Sequence, residues 1–482
     1  MADVRMDDLC LTKIISSFEI FNYAYGMSID PFLQRNLEFL QRAYSAELIA
    51  RMSTERKLCA NYLKFLLNRF VKDLDFSKFD SCPWESVLDG ATEIAENLLK
   101  VTFDEEMFFQ HHERLKGFIE LLQNVKHLFL PFECDDEIVK IISRSCPNLI
   151  ELDLYVSTVS DDALRSLCSA RFGSCIRILH LRSLSRNEKI IASILTSMPC
   201  LEILNNFYLV QALQFLHRYD LFTNKLNAVK KYTLTHLNLS CVQPSDCAEA
   251  LTICTVLCPD IRNLSCCVYM QNHIDLLCNF NKLQDLDLNY SEEDLLDLNN
   301  FLKIKGLNLI SLQINGRFLV YISVLIENCL KLEKLCLLRL KLQWTKNVNV
   351  CNLKRMERLK IFSISIPYLS TEDLSLLLNS SPNVVCLSLS TTLHLKSAIL
   401  KNCDLKKLKY FNIVYAVLDV NFVTLILKSC TSLKILNLHS CYNLSEYDCR
   451  IITAAASAAK NSPAVTWNRF ARISDDGQFM MW

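Results

Sequence analysis

From residue 125 onward, the apolar positions keep to one spacing, L-x-x-L-x-L. It opens with Val125/Leu128/Leu130 and Leu149/Leu152/Leu154 and ends with Leu408/Phe411/Ile413 and Leu433/Leu436/Leu438. Thirteen copies follow one another at steps of 22 to 33 residues, too many and too regular for chance. The alternating second half of each copy predicts a short strand with one buried face. Between copies the apolar residues cluster at helical spacing, as in Ile138-Val139-x-Ile141-Ile142 and Leu374-x-Leu376-Leu377-Leu378. A single strand–helix unit cannot bury its apolar side, so the units must stack. The pattern predicts an α/β solenoid over residues 123–460. Residues 1–122 are expected to form an all-α region, and 461–482 a C-terminal cap or tail over the last strand edge.

Two features qualify the periodicity. The longest step, 33 residues, carries its excess in Phe207–Tyr232, where a longer loop or an extra helix is expected. Many strands are preceded by cysteine, as in Cys146-Pro147-Asn148-Leu149, Cys258-Pro259-Asp260-Ile261 and Cys430-Thr431-Ser432-Leu433. With this cysteine the array resembles the cysteine-containing leucine-rich repeats, common in F-box proteins and related ligase receptors. The resemblance implies a horseshoe solenoid whose concave strand face binds other proteins. The fold hosts many roles, so function has to be sought in the side chains.

The x sites of the repeats form columns along the strands. Early copies mix charge (Lys126, Arg177, Glu202), middle copies lean acidic (Asp285, Asp287, Glu333), and late copies carry Lys360, Lys409 and Lys434. Beside those lysines stand Ile361, Tyr410 and Ile435. Cations interleaved with apolar anchors make these six a candidate contact patch for a protein substrate, the alternative being a solvated rim.

In the first 122 residues, Met6, Cys10 and Ile14 fall at i, i+4 and i+8, on one helix face. Ile29, Pro31, Leu33 and Leu37 follow in the stretch Ile29-Asp30-Pro31-Phe32-Leu33-Gln34-Arg35-Asn36-Leu37. The first set resembles an elongin-binding box, with Met6 where leucine is usual. The second is similar to the adjoining cullin box, with Asp30 in place of its first proline. In this order, ahead of cysteine-type repeats, the boxes resemble the Zyg-eleven family of elongin–cullin substrate receptors. That family's C-terminal armadillo region has no counterpart in this sequence. The resemblance implies a non-catalytic substrate-recognition subunit of a cullin-type ubiquitin ligase, with an elongin/cullin pair or another ligase adaptor as partner. A diverged F-box is the second choice, although no Leu-Pro pair marks one. Helices that only cap the first repeat, in an intracellular scaffold or inhibitor without a ligase link, are the competing reading.

Composition narrows the remaining classes. The 482 residues carry 52 Lys+Arg against 52 Asp+Glu. That balance argues against general nucleic-acid binding, which needs a basic field. Glycine numbers only 7, and neither G-x-G-x-x-G nor G-x-x-x-x-G-K occurs, so no phosphate-cradling loop is expected. No apolar run is long enough to span a bilayer, so no membrane contact is expected. The 23 cysteines are an odd number with no signal segment before them. They are expected to be free thiols in a reducing compartment, cytoplasmic or nuclear. Without C-x-x-C pairs neither metal nor another cofactor is expected. His127, His180 and His236 fall at outward x sites and read as surface polar residues. With no H-E-x-x-H or G-x-S-x-G, no enzymatic activity is expected.

Overall fold

The structure is a computed structural model. It describes residues 39, 42–45, 47–49, 51–52, 66–78, 84–155, 159–182, 187–206, 208–223, 225, 229–240, 242–290, 294–344, 353–366, 369–390, 394–395, 397–400, 403–441, 444–468, 471–473 and 479–481. The chain divides into two compact units, Met1–Leu234 and Thr235–Trp482.

The first unit holds a six-stranded parallel sheet: β1 (Asp73–Asp75), β2 (Lys100–Thr102), β3 (His127–Glu133), β4 (Glu151–Tyr155), β5 (Ile178–Arg182) and β6 (Ile203–Asn205). Strand order follows chain order, as a solenoid requires. Leu128, Leu152 and Leu179 occupy one register column, and all are fully buried.

Strands β1 and β2 correct the expectation that residues 1–122 are all helical. Val71-x-x-Leu74-x-Phe76 and Leu98-x-x-Val101-x-Phe103 are repeat copies with phenylalanine in the last apolar place. The rings of Phe76 and Phe103 stack at 5.5 Å, and Phe118 meets both edge-on. A ring fills the space that leucine fills elsewhere. The parallel sheet therefore starts about two repeats earlier than the leucine spacing indicates.

The second unit holds a ten-stranded parallel sheet. Its strands are β7 (His236–Leu239), β8 (Asn263–Cys267) and β9 (Asp285–Asn289), then, beyond the two-residue β10 (Leu296–Asp297), β11 (Ser311–Asn315). After β12 (Phe318–Tyr321) come β13 (Lys334–Leu338) and, past β14 (Lys341–Gln343), β15 (Ile361–Ser365) and β16 (Cys386–Ser390). The last three are β18 (Tyr410–Val414), β20 (Ile435–His439) and β21 (Ala464–Asn468), with the short β17 (His394–Leu395) and β19 (Val417–Leu418) lying between main strands. The intervening strands form ladders of their own, β10–β12–β14 and β17–β19, where helix alone was expected. At the C-terminus, β21 pairs parallel with β20, so the edge of the last repeat is covered by a further strand. The pair β22 (Ala471–Ile473) and β23 (Phe479–Met481) is antiparallel.

The repeat's cysteine has a structural task. Cys146, Cys258, Cys329 and Cys430 each follow a helix, and each backbone N–H donates to the carbonyl four residues back. Each carbonyl then accepts from the first leucine or isoleucine of the next strand motif, at 3.0–3.4 Å. All four side chains are buried, by 97 % or more. A small, weakly polar group at this corner lets the chain turn from helix to strand while packing against the core. At the helix starts, Asp135, Ser160, Ser370 and Ser445 accept hydrogen bonds from the first-turn N–H groups. The long step at Phe207–Tyr232 contains the helix Leu209–Phe222, interrupted by a kink at His217. His217 lies 3.3 Å from Asp220 and 2.8 Å from the Tyr232 hydroxyl, tying the kink to the end of the insertion. Each unit is an α/β solenoid of leucine-rich-repeat type.

Candidate protein-binding face

In the ten-stranded sheet of the second unit the leucine positions from β7 to β20 are buried, which turns the x positions to the opposite, open face of the sheet. Parallel register lines these positions up. One column reads Ile361, Cys386, Tyr410, Ile435 and Ala464. The neighbouring column, toward the strand termini, reads Ser363, Ser388, Asn412, Asn437 and Thr466. The Asn412 amide donates to the Ser388 hydroxyl at 3.2 Å, and the Thr466 hydroxyl donates to Asn437, so the second column is a polar ladder. On the other side, Lys360, Val385, Lys409 and Lys434 are joined by backbone hydrogen bonds at the start of each strand.

Of the six late-array residues named from the sequence, Ile361, Tyr410 and Ile435 share the first column, while Lys360, Lys409 and Lys434 each stand one residue before it, at the strand starts. Ile361 is 44 % exposed and Tyr410 42 %, and both line a depression of about 220 Å³ whose floor is Phe362, Leu387 and Phe411. The three lysines are exposed along its edge. Sequence reading missed Cys386, which sits between Ile361 and Tyr410 and continues the apolar column. It also missed the loops that enter the strands. Lys354, Arg355 and Arg358 precede β15, and Lys406 and Lys407 precede β18, all exposed at the same strand-start edge. The signal was available: these cations stand directly before an L-x-x-L-x-L copy. Met6, Cys10, Ile14, Ile29, Pro31, Leu33 and Leu37 lie outside the described residues.

Elsewhere the x-site polar groups pair among themselves. His127 meets Glu151 at 2.8 Å, Arg177 meets Glu202 at 3.3 Å, and the His236 ring contacts the Asn263 amide at 2.7 Å. Burial raises the Asp285 carboxyl above its ordinary range, with His236 and Lys334 opposing. A larger depression, about 610 Å³, lies at the strand-start edge of the first unit, with Lys72, Lys126 and Arg177 alternating with Leu99 and Ile150. It has no exposed aromatic anchor, and one of its cations is already paired with Glu202. The smaller depression has two exposed apolar anchors, Ile361 and Tyr410, and its cations stand outside its lining, at the strand starts. Among the described residues, no group of three or more His, Cys, Asp or Glu could hold a metal ion, and no helix is long and apolar enough to cross a membrane.

No family model matches the chain, and no curated protein matches it. Among solved structures it is similar to TLR13 in its complex with ssRNA13, at 16 % identity over 86 % of this chain, with a TM-score of 0.36. It is similar to a chain of the yeast Rad7 and Elc1 complex at 14 % identity, covering 91 % of this chain and 94 % of that one, TM-score 0.35. It is also similar to a chain of the mouse RP105/MD-1 complex at 14 % identity, over 80 % of this chain and 66 % of that one, TM-score 0.34. The chain spans 62 % of the TLR13 chain it matches.

Proposed function

We propose that the chain is a non-catalytic substrate-recognition subunit of a cullin-type ubiquitin ligase. It takes a protein target on the open face over β15, β16, β18 and β20. The observation that supports target binding most is the register of Ile361, Cys386, Tyr410 and Ile435. Apolar surface on adjacent strands, edged by cations, has the make-up of a protein contact with a central anchor and a polar rim. A tyrosine on a rigid sheet loses little side-chain freedom on binding, so it suits the anchor role. The link to a ligase is supported by the sequence boxes at Met6–Ile14 and Ile29–Leu37. The chain itself performs no chemistry in this reading, and the gain is proximity between target and ligase core.

The test is affinity purification of the full chain from cells, followed by identification of its stoichiometric partners. Elongin and a cullin are the expected companions. Recovery of another ligase adaptor with a cullin keeps the ligase and changes the adaptor, whereas recovery of no cullin and no ligase adaptor removes the ligase assignment. Target binding is tested separately with Ile361→Asp, which places a charge in the depression.

A further inference from the structure

We infer that the open face of the second unit is built for an acidic, extended peptide segment with apolar side chains, an inference that rests on the protein-binding reading above. Its first support is a local charge excess within a neutral chain. The stretches entering β15, β18 and β20 carry Lys354, Arg355, Arg358 and Lys360, then Lys406, Lys407 and Lys409, and then Lys434. Against these eight cations the same stretches hold two acids, Glu357 and Asp404, and Asp404 lies 3.5 Å from Lys406. The chain as a whole has equal numbers of cationic and acidic residues. A parallel sheet starts all its strands at one edge, so these cations gather along one side of the depression and reinforce one another's field.

The second support is spacing. From Ile361 to Ile435 there are three strand steps, or ~14 Å at the usual strand separation, which an extended chain crosses in about four or five residues. Alternate side chains of such a segment point the same way. One set can lie on Ile361, Cys386, Tyr410 and Ile435 while acids reach Lys409 and Lys434. On the far side the amides and hydroxyls of Ser388, Asn412 and Asn437 offer partners to the peptide's backbone. Single-stranded nucleic acid is the other polyanion that a basic edge attracts, but it needs successive aromatic platforms for its bases. This column offers one, Tyr410, among aliphatic and thiol neighbours.

The experiment is selection of short peptides from a random displayed library on the full-length protein. Selected sequences are then measured as synthetic peptides against wild type, Lys409→Glu/Lys434→Glu and Ile361→Asp, each checked for an unchanged melting temperature. Should a variant melt early, Lys409→Gln/Lys434→Gln and a salt titration of the wild type carry the same test. The expected result is enrichment of Asp or Glu beside Leu, Ile or Phe. Affinity should fall about tenfold or more on lysine reversal and weaken as salt screens the edge. Enrichment of neutral or basic sequences that Ile361→Asp still abolishes overturns the acidic class while leaving the protein-binding face intact. Peptides insensitive to both variants overturn both. A single-stranded RNA oligonucleotide bound more tightly than any peptide, and lost on lysine reversal, also overturns the inference.

Discussion

Lys360 donates to the Glu333 carboxylate at 2.8 Å, across the step from β13 to β15. This hydrogen bond, and the attached positive charge, hold the Glu333 carboxyl below its ordinary value. The pair bridges the starts of these two strands. It also ranks the lysines, because Lys360 has an acid beside it, whereas neither Lys409 nor Lys434 has an ion pair among the described residues.

Glu333→Gln should therefore free Lys360 and tighten binding of an acidic peptide about two- to threefold, the scale of one exposed pair. Melting temperature should hardly move, since exposed pairs contribute little to stability. Lys360→Glu should weaken the same peptide less than Lys409→Glu does. Titration of the three variants by fluorescence anisotropy checks this order, and the reverse order would show that Lys360 is not spent on Glu333.

Leu286→Asp probes the stacking of repeats. Leu286 is 2 % exposed and lies in register with Leu264 on β8 and Leu312 on β11. A carboxylate there has no partner, so the second unit should lose well over ~3 kcal/mol. Because each repeat leans on the next, loss of protection should spread to β8 and β11 in hydrogen exchange. An unchanged unfolding midpoint would contradict the register.

Asp285 gives a pH test. Its folded-state pKa is raised, chiefly by burial. A raised acid pKa means that the charged form costs the native state free energy at neutral pH, and that this cost disappears as pH falls through the folded value. Asp285→Asn should therefore melt higher than wild type at neutral pH, with the gap closing as the pH is lowered toward the ordinary carboxylate range. A gap that widens in acid would mean that His236 and Lys334 dominate over burial.

The thiols should divide by burial. Desolvation pushes Cys134, Cys146, Cys247, Cys329 and Cys430 up to about 12. They carry almost no thiolate near neutral pH and should resist alkylation in the native protein. Among the described residues Cys175 and Cys200 are exposed, and they should be labelled first. Mass spectrometry after brief iodoacetamide treatment reads the order directly. Fast labelling of Cys146 or Cys430 would mean that the helix-to-strand corners open readily.

Leucine spacing made most of the fold legible, because each L-x-x-L-x-L copy states both the strand and its buried face. It failed at Leu74 and Val101, where the last apolar place is taken by Phe76 and Phe103 and the copies do not read as leucine-rich. Nor could it announce β12 or β14, short ladders that depend on neighbouring repeats presenting the same turn. Of the three Lys–apolar pairs read as a candidate contact patch, the apolar members Ile361, Tyr410 and Ile435 fall in one register column. What periodicity alone did not show was the loop cations, whose significance depends on all strands beginning at one edge, and Cys386, which gains meaning only from standing between Ile361 and Tyr410.

The ligase assignment turns on the N-terminal boxes, and Met6→Glu and Cys10→Lys test it. If this helix docks on elongin, either charge would have to enter an apolar pocket. An uncompensated buried charge costs several kcal/mol, so adaptor binding should fall by well over ~100-fold. A helix that merely caps the first repeat makes a different prediction, namely a lowered melting temperature and no adaptor to lose. Measuring both quantities on each variant separates the two. Normal melting with lost elongin recovery supports the receptor. Lowered melting, with neither elongin nor cullin recovered even by the wild-type chain, leaves a protein-binding solenoid without a ligase. Lys409→Glu should leave adaptor recovery untouched in either case, because its effect belongs to the target face.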